Sequence, residues 1–151
     1  MAGRDFTAVT GEVALGAGTA KTILMSKTAS NIRAQVKGVG LYVKGTGPTD
    51  TPILVEIYRG TSDGTMSAFT PDPDNDDDSE TLQTLFYHTA TSEPTTNTNP
   101  MRRFYVHPQT GAQFYFPFER PITQKGGGSR VTMKCTAAQA QTVVGSFDMS
   151  E

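Results

Sequence analysis

The chain has 151 residues, 36% of them hydrophobic, with no Trp and a single Cys, which is long enough for one domain with a sizeable core. Its 15 acids and 13 Lys and Arg residues leave a formal charge of −2, and the lone Cys135 excludes an internal disulfide framework and a cysteine-based zinc site. No run approaches the roughly 20 apolar residues of a membrane span, and the first residues lack the apolar stretch of a signal peptide, so the expectation is a soluble chain made in the cytoplasm without an export signal.

Residues 1–19 are rich in Gly, Ala and Thr and alternate only briefly, at Phe6 to Val9 and at Val13 to Leu15. They read as an extended N-terminal arm leading into a domain over 20–151. Residues 21–26 form a better strand. In 31–44, Ile32, Ala34 and Val36 share one face, and Val39, Leu41 and Val43 share one face after Gly38. The parity slips between Val36 and Val39, which predicts a bulge or bend at Gly38 or Gly40. A Gly- and Pro-rich break over 45–52 separates this from the clearest strand of the chain, 53–59, where Ile53, Val55 and Ile57 alternate with Leu54, Glu56 and Tyr58.

An insert at 71–80 follows, with six acids in ten residues and no large apolar side chain. Such a segment cannot bury enough surface to offset its ordering entropy and reads as a solvated loop. With its six acids set aside, nine acids face 13 bases, so the body of the chain is mildly basic. Residues 81–90 alternate again, 91–100 read as a loop, and 101–107 with 113–118 suggest a hairpin. Pro117 should lie at a strand end or edge, since it has no N–H for a central ladder. Strands near 130–136 and 142–149 complete the pattern, and 137–141 is the one helix-compatible run. Eight to nine strands without βαβ alternation predict an all-β, antiparallel β-sandwich, with a jelly roll as the expected form.

The candidate sites are few. Asp72, Asp74 and Asp76 have the alternating spacing that opens an EF-hand loop, but Asp77 stands where that loop needs Gly and Gln83 where it needs the bidentate Glu. A solvated loop is the better reading, so no metal is assigned and these three remain weak candidates. His88 and His107 show no ligand spacing for zinc. Gly60 to Gly64 carries Gly-x-Ser-x-Gly spacing, but Ser62 to Gly64 reads as the turn beyond the 53–59 strand; there is no Walker loop, and Gly126 to Gly128 reads as a turn. No catalytic residue and no cofactor is expected. Alternation sends Phe114, Phe116 and Phe118 towards the core and leaves Tyr105 and Tyr115 outside. Arg102 and Arg103 make a basic patch too slight for nucleic acid.

Several local signatures come in a telling order. Ala20 to Leu24 precede Ile53 to Met66; Thr89 to Pro94 and Val106 to Gly111 follow, then Gly126 to Gly128 and a final β-run ending at Glu151. From about Ala20 onward the chain resembles a family of small tailed-phage and prophage structural proteins similar to jelly-roll head decoration (cement) proteins. The resemblance implies a virion protein without enzymatic activity, bound to the outer surface of an assembled head through the major capsid protein. It also implies a homotrimer, assembled in the host cytoplasm, with no membrane and no direct nucleic-acid contact. Under that reading the arm supplies the capsid and subunit contacts, through Arg4, Phe6, Val9, Val13 and Leu15, by pairing with a neighbour's sheet edge. Two other classes stand beside it: a tail or head–tail joining subunit, and a carbohydrate-binding or host-attachment module using outward Tyr residues.

Overall fold

A computed structural model describes residues 4–44, 50–74 and 81–151. They form two antiparallel sheets facing one another, with no helix among the described residues. The first sheet holds β1 (Asp5–Val9), β2 (Val13–Leu15), β4 (Ala34–Val43), β9 (Ala112–Tyr115), β10 (Ile122–Gln124) and β12 (Gln141–Ser150). The second holds β3 (Lys21–Lys27), β5 (Ile53–Gly60), β6 (Thr65–Phe69), β7 (Leu85–Ser92), β8 (Arg102–Val106) and β11 (Arg130–Thr136).

The first sheet is simpler than six strands suggest. β1 and β2 lie on the same side of β12, which has β4 on its other side. β9 and β10 likewise lie on one side of β4. Each pair is therefore one edge strand broken in the middle. The second sheet runs β6-β7-β3-β11-β5-β8.

A bulge is present beside Gly38, where the sequence predicts a bulge or bend at Gly38 or Gly40. The ladder of β12 with β4 shifts between Asp148, opposite Gly38, and Met149, opposite Val36, so Lys37 is the extra residue. The shift returns Val39 and Leu41 to the face of Ala34 and Val36, and all four are buried. A single inserted residue thus reconciles two runs of opposite parity on one core-facing surface.

The arm reading does not survive. Residues 5–9 and 13–15 pair with β12 of their own chain, and Phe6, Ala8, Val13 and Leu15 are buried. The Phe6 ring meets Phe86 of the opposite sheet edge-on, with centroids 5.5 Å apart. Burying such side chains stabilises by about 1.5–3 kcal/mol each, more than an arm left in water for a neighbour would retain. The segment is the edge strand of the sandwich, and the described part of the expected arm, residues 4–19, is not separate from the rest of the domain.

Three further expectations are corrected. Residues 101–107 and 113–118 do not form a hairpin: β8 pairs with β5 and β9 with β4, so the turn at 107–111 carries the chain from one sheet to the other. Among the described residues twelve strands replace eight to nine, because β1, β2, β6 and β10 are short or sit in polar surroundings that hide their period. Residues 137–141 hold a bridge from Ala137 to Ala17 rather than a helical turn.

Both faces of β3 and β11 are largely buried. The long excursion between β5 and β8 is bound against them. Asp63 forms ion pairs with Arg130 and, at 2.8 Å, with Lys27, and the Glu93 carboxylate accepts hydrogen bonds from Thr22. The acidic insert leaves from this excursion. Pro73 bridges Phe6 and the Asp74 N–H donates to the Asp5 carbonyl, 3.0 Å, on one side of it. On the other, the buried Glu151 carboxylate accepts from the Gln83 and Thr84 N–H groups, at 2.9 and 2.8 Å.

Candidate functional site

The most exposed apolar groups cluster at the broken edge β9/β10. Pro117 and Pro121 have no N–H to offer β4, so the ladder stops at Tyr115 and resumes at Ile122. Between them the chain turns outward, closed by the Arg120 N–H donating to the Pro117 carbonyl at 2.8 Å. Phe118, at the tip of this turn, is 98% exposed, Tyr115 is 69% exposed and Phe114 is 37% exposed. Phe116 is half-buried and lies beneath the Arg102 guanidinium, 5.2 Å from the ring centroid. Tyr115, Phe116, Pro117, Phe118 and Pro121 line a shallow cavity of about 210 Å³ together with Gln35 and Lys37.

The sheet beneath is shaped to receive this edge. Gly38 lies opposite Tyr115, and a Cβ on it would come within 2.9 Å of both the Tyr115 ring and the Phe114 carbonyl. A Cβ on Gly40 would come within 2.5 Å of Ser146 Oγ. The absence of a side chain at Gly38 thus lets the Tyr115 ring lie close to the sheet.

Polar groups around the rings are mutually satisfied. The Gln113 amide donates to the Tyr115 hydroxyl at 2.7 Å and to Asp148 Oδ2 at 3.1 Å, and Thr7 donates to Asp148 Oδ1 at 3.1 Å. Lys37 pairs with Asp5 at 2.7 Å. Asp5, Lys37, Tyr115, Asp148 and Asp74 line an adjoining cavity of about 270 Å³, so the acidic insert begins at the border of the aromatic ridge. A contiguous, exposed apolar ridge rimmed by paired polar groups is suited to protein contact.

Alternation failed at this edge. Tyr105, 64% exposed, and Tyr115 face outward as expected, but Phe118 does not enter the core and Phe114 only reaches its margin, where its ring lies 4.4 Å from that of Phe104 on the opposite sheet. The signal available in the sequence was Pro117: a ladder that ends there cannot hold Phe118 to the period of a strand.

The other candidates are dispersed. Of the proposed contact residues, Phe6, Val13 and Leu15 are buried in their own core, Arg4 pairs with Glu151 at 2.9 Å, and only Val9 presents substantial apolar surface, 47% exposed. Asp72 and Asp74 are exposed, and Asp76 lies outside the described residues. Among the described residues no three His, Cys, Asp or Glu side chains come together as a metal site. His88 Nδ1 is 2.9 Å from the Thr89 hydroxyl, and His107 Nδ1 accepts from the Gln109 N–H, 3.1 Å, within a turn. Cys135 is fully buried, and burial pushes its thiol pKa well up, away from the reactive thiolate. No helix among the described residues is long and apolar enough to cross a membrane.

No known protein family, curated protein or solved structure matches the chain.

Proposed function

We propose that this protein decorates the outer surface of an assembled phage head and stabilises it, attaching through the aromatic ridge at Tyr115, Phe116 and Phe118. The observation that carries this reading is the ridge itself: three neighbouring rings, one of them 98% exposed, held out by two prolines on a sandwich edge. Exposed rings of this kind serve as anchors in protein interfaces, where their burial supplies much of the affinity.

The connectivity supports the same reading. With β6 and β7 set aside as an added hairpin, and each broken edge taken as one strand, eight strands remain in chain order: β1/β2, β3, β4, β5, β8, β9/β10, β11, β12. The first, eighth, third and sixth form one sheet, and the second, seventh, fourth and fifth form the other. This order is the one expected of a jelly roll and so supports the fold the resemblance implies. The partner is then the major capsid protein and the location the exterior of the virion. The proposed homotrimer would use contacts other than an exchanged arm, since residues 5–15 are occupied at home.

The test is to add purified protein to undecorated heads and measure occupancy and the temperature of DNA release. A ligand specific for the intact shell stabilises it by mass action, by roughly 2.7 kcal/mol per site at a hundredfold excess over its Kd. Phe118→Ser should lower occupancy at least tenfold, and native protein that fails to bind would defeat the reading. Copy number separates it from a tail or joining subunit: hundreds per particle on the head against a handful elsewhere. The outward Tyr105 and Tyr115 keep a carbohydrate-binding module as the second reading, and a glycan array tests it.

A further inference from the structure

A second surface, at one end of the sandwich, has the opposite character to the aromatic ridge. Arg33, Arg59 and Lys125 line a cavity of about 440 Å³ with Thr123 and Ser129, and no acidic side chain lines it. The strands explain the clustering. The ladder of β10 with β4 ends at Gln124 opposite Ala34, so the next residue on each chain is Lys125 and Arg33, brought side by side. Arg59, near the end of β5, reaches across from the second sheet and donates to the Thr123 carbonyl at 3.1 Å and Ser129 Oγ at 3.3 Å.

Arg4, Lys27, Lys37, Lys44, Arg103 and Arg130 each pair with a carboxylate. Among the described residues, none is paired with Arg33, Arg59 or Lys125. Lys21, Arg102, Arg120 and Lys134 also lack a carboxylate partner among the described residues, but here three such cations line one cavity. Like charges side by side on neighbouring strands destabilise a sheet, and a bound anion would relieve that cost. Arg59 is held by its bonds to the opposite sheet, and Ser129 Oγ, which accepts from it, keeps its own proton to donate. Guanidinium, ammonium and hydroxyl donors converging from three directions suit an oxyanion with several acceptor oxygens.

We propose that this cavity binds a tetrahedral oxyanion of the phosphate or sulfate class, free or as the ester group of a small ligand, with Arg59 as the fixed anchor and Arg33 and Lys125 closing on it. The site is separate from the aromatic ridge and does not depend on the capsid reading.

The experiment is a ¹⁵N–¹H chemical-shift titration of the full chain with inorganic phosphate, sulfate, glucose 6-phosphate and, at matched ionic strength, chloride. Saturable shifts at the Thr123, Lys125 and Ser129 amides with phosphate or sulfate, and not with chloride, are expected. Tighter binding of glucose 6-phosphate than of inorganic phosphate would assign the site to a phosphorylated ligand, and equal binding would assign it to the free ion. R33A/K125A changes two exposed side chains without touching the bonds of Arg59, and should weaken binding at least tenfold, while K44A, outside the cavity, should leave it unchanged. Equal shifts with chloride, no saturation, or undiminished binding by folded R33A/K125A would overturn the proposal.

Discussion

The Glu93 carboxylate grips Thr22 three times: Oε1 and Oε2 lie 2.9 and 3.1 Å from its N–H, and Oε2 lies 2.5 Å from its hydroxyl. Thr22 is fully buried near the start of β3, while Glu93 closes β7 from a stretch otherwise open to solvent. An exposed residue thereby satisfies a buried donor 71 positions away. It also holds the return path of the excursion against the second sheet, where ladder pairing alone would leave it free.

Removal of this carboxylate should therefore cost more than its exposed position suggests. Glu93→Ala leaves the buried Thr22 N–H without that partner, at about 1–3 kcal/mol. For a chain of this size that corresponds to a drop in Tm of roughly 2–12 °C. Thermal unfolding by circular dichroism checks it, with Glu93→Gln expected to fall between the two because its amide keeps one acceptor oxygen.

Truncation of residues 1–18 separates an integral strand from an arm. Deletion removes Phe6, Ala8, Val13 and Leu15 from the core and bares one side of β12. The truncated chain should be unfolded or aggregated at 25 °C, since loss of one buried Phe alone costs about 3–5 kcal/mol, comparable to the whole stability of many domains. A soluble truncated protein with the native spectrum would return these residues to the role of an arm.

Asp63 gives the fold a dependence on acid. Hydrogen bonds from Lys27 and Arg130 hold its carboxyl below the usual carboxylate pKa, against a smaller opposing effect of burial. A depressed folded-state value means the stabilisation is complete above the unfolded pKa, about 3.9, and is lost as pH falls through the lower folded value. Asp63 is 43% exposed, so solvent screens part of the effect. Asp63→Asn should flatten the fall in Tm below pH 4 while lowering Tm at pH 7, which a pH series of melting curves would read directly.

Contact and support separate at the aromatic ridge. Phe118→Ser and Tyr115→Ser remove exposed rings and should shift Tm by no more than about 0.5 kcal/mol equivalent for Phe118, as for other surface changes. Gly38→Ala, in contrast, drives a methyl group against the Phe114 carbonyl and the Tyr115 ring and should cost on the order of 1–3 kcal/mol by overpacking. Tm and head binding measured on the three variants should fall into two groups. Binding lost with Tm preserved identifies the ridge, whereas parallel losses would make it structural.

Much of the fold was legible because period-2 alternation is a direct imprint of a two-faced sheet. Ile53, Val55 and Ile57 announce β5, and the slip between Val36 and Val39 calls for a bulge or bend at Gly38 or Gly40, which falls one residue away, at Lys37. What stayed hidden was pairing. Nothing in Phe6 or Leu15 says whether their apolar face is buried at home or on a neighbour, since the hydrophobic effect has no direction. The turn at 107–111 has the length and composition of a hairpin loop, and the neighbours waiting on β5 and β4 decide that it crosses between sheets. The basic cavity was equally invisible, because Arg33, Arg59 and Lys125 meet only through the ladder of β10 with β4 and the reach of Arg59 across the sandwich.

The main chains of Arg4 and Glu151 exchange both hydrogen bonds, at 2.8 and 3.0 Å, where β1 meets β12. Because the two strands run in opposite directions, a pull applied between these residues loads that ladder one bond at a time, as a zipper opens, rather than shearing all its bonds together. The first bonds to part would release the Arg4–Glu151 ion pair and then the Glu151 grip on Gln83 and Thr84. Tension at this corner would thus free Gln83 and Thr84 long before it reached the central strands. A pull directed along the strands would instead load the bonds of a ladder together, in shear.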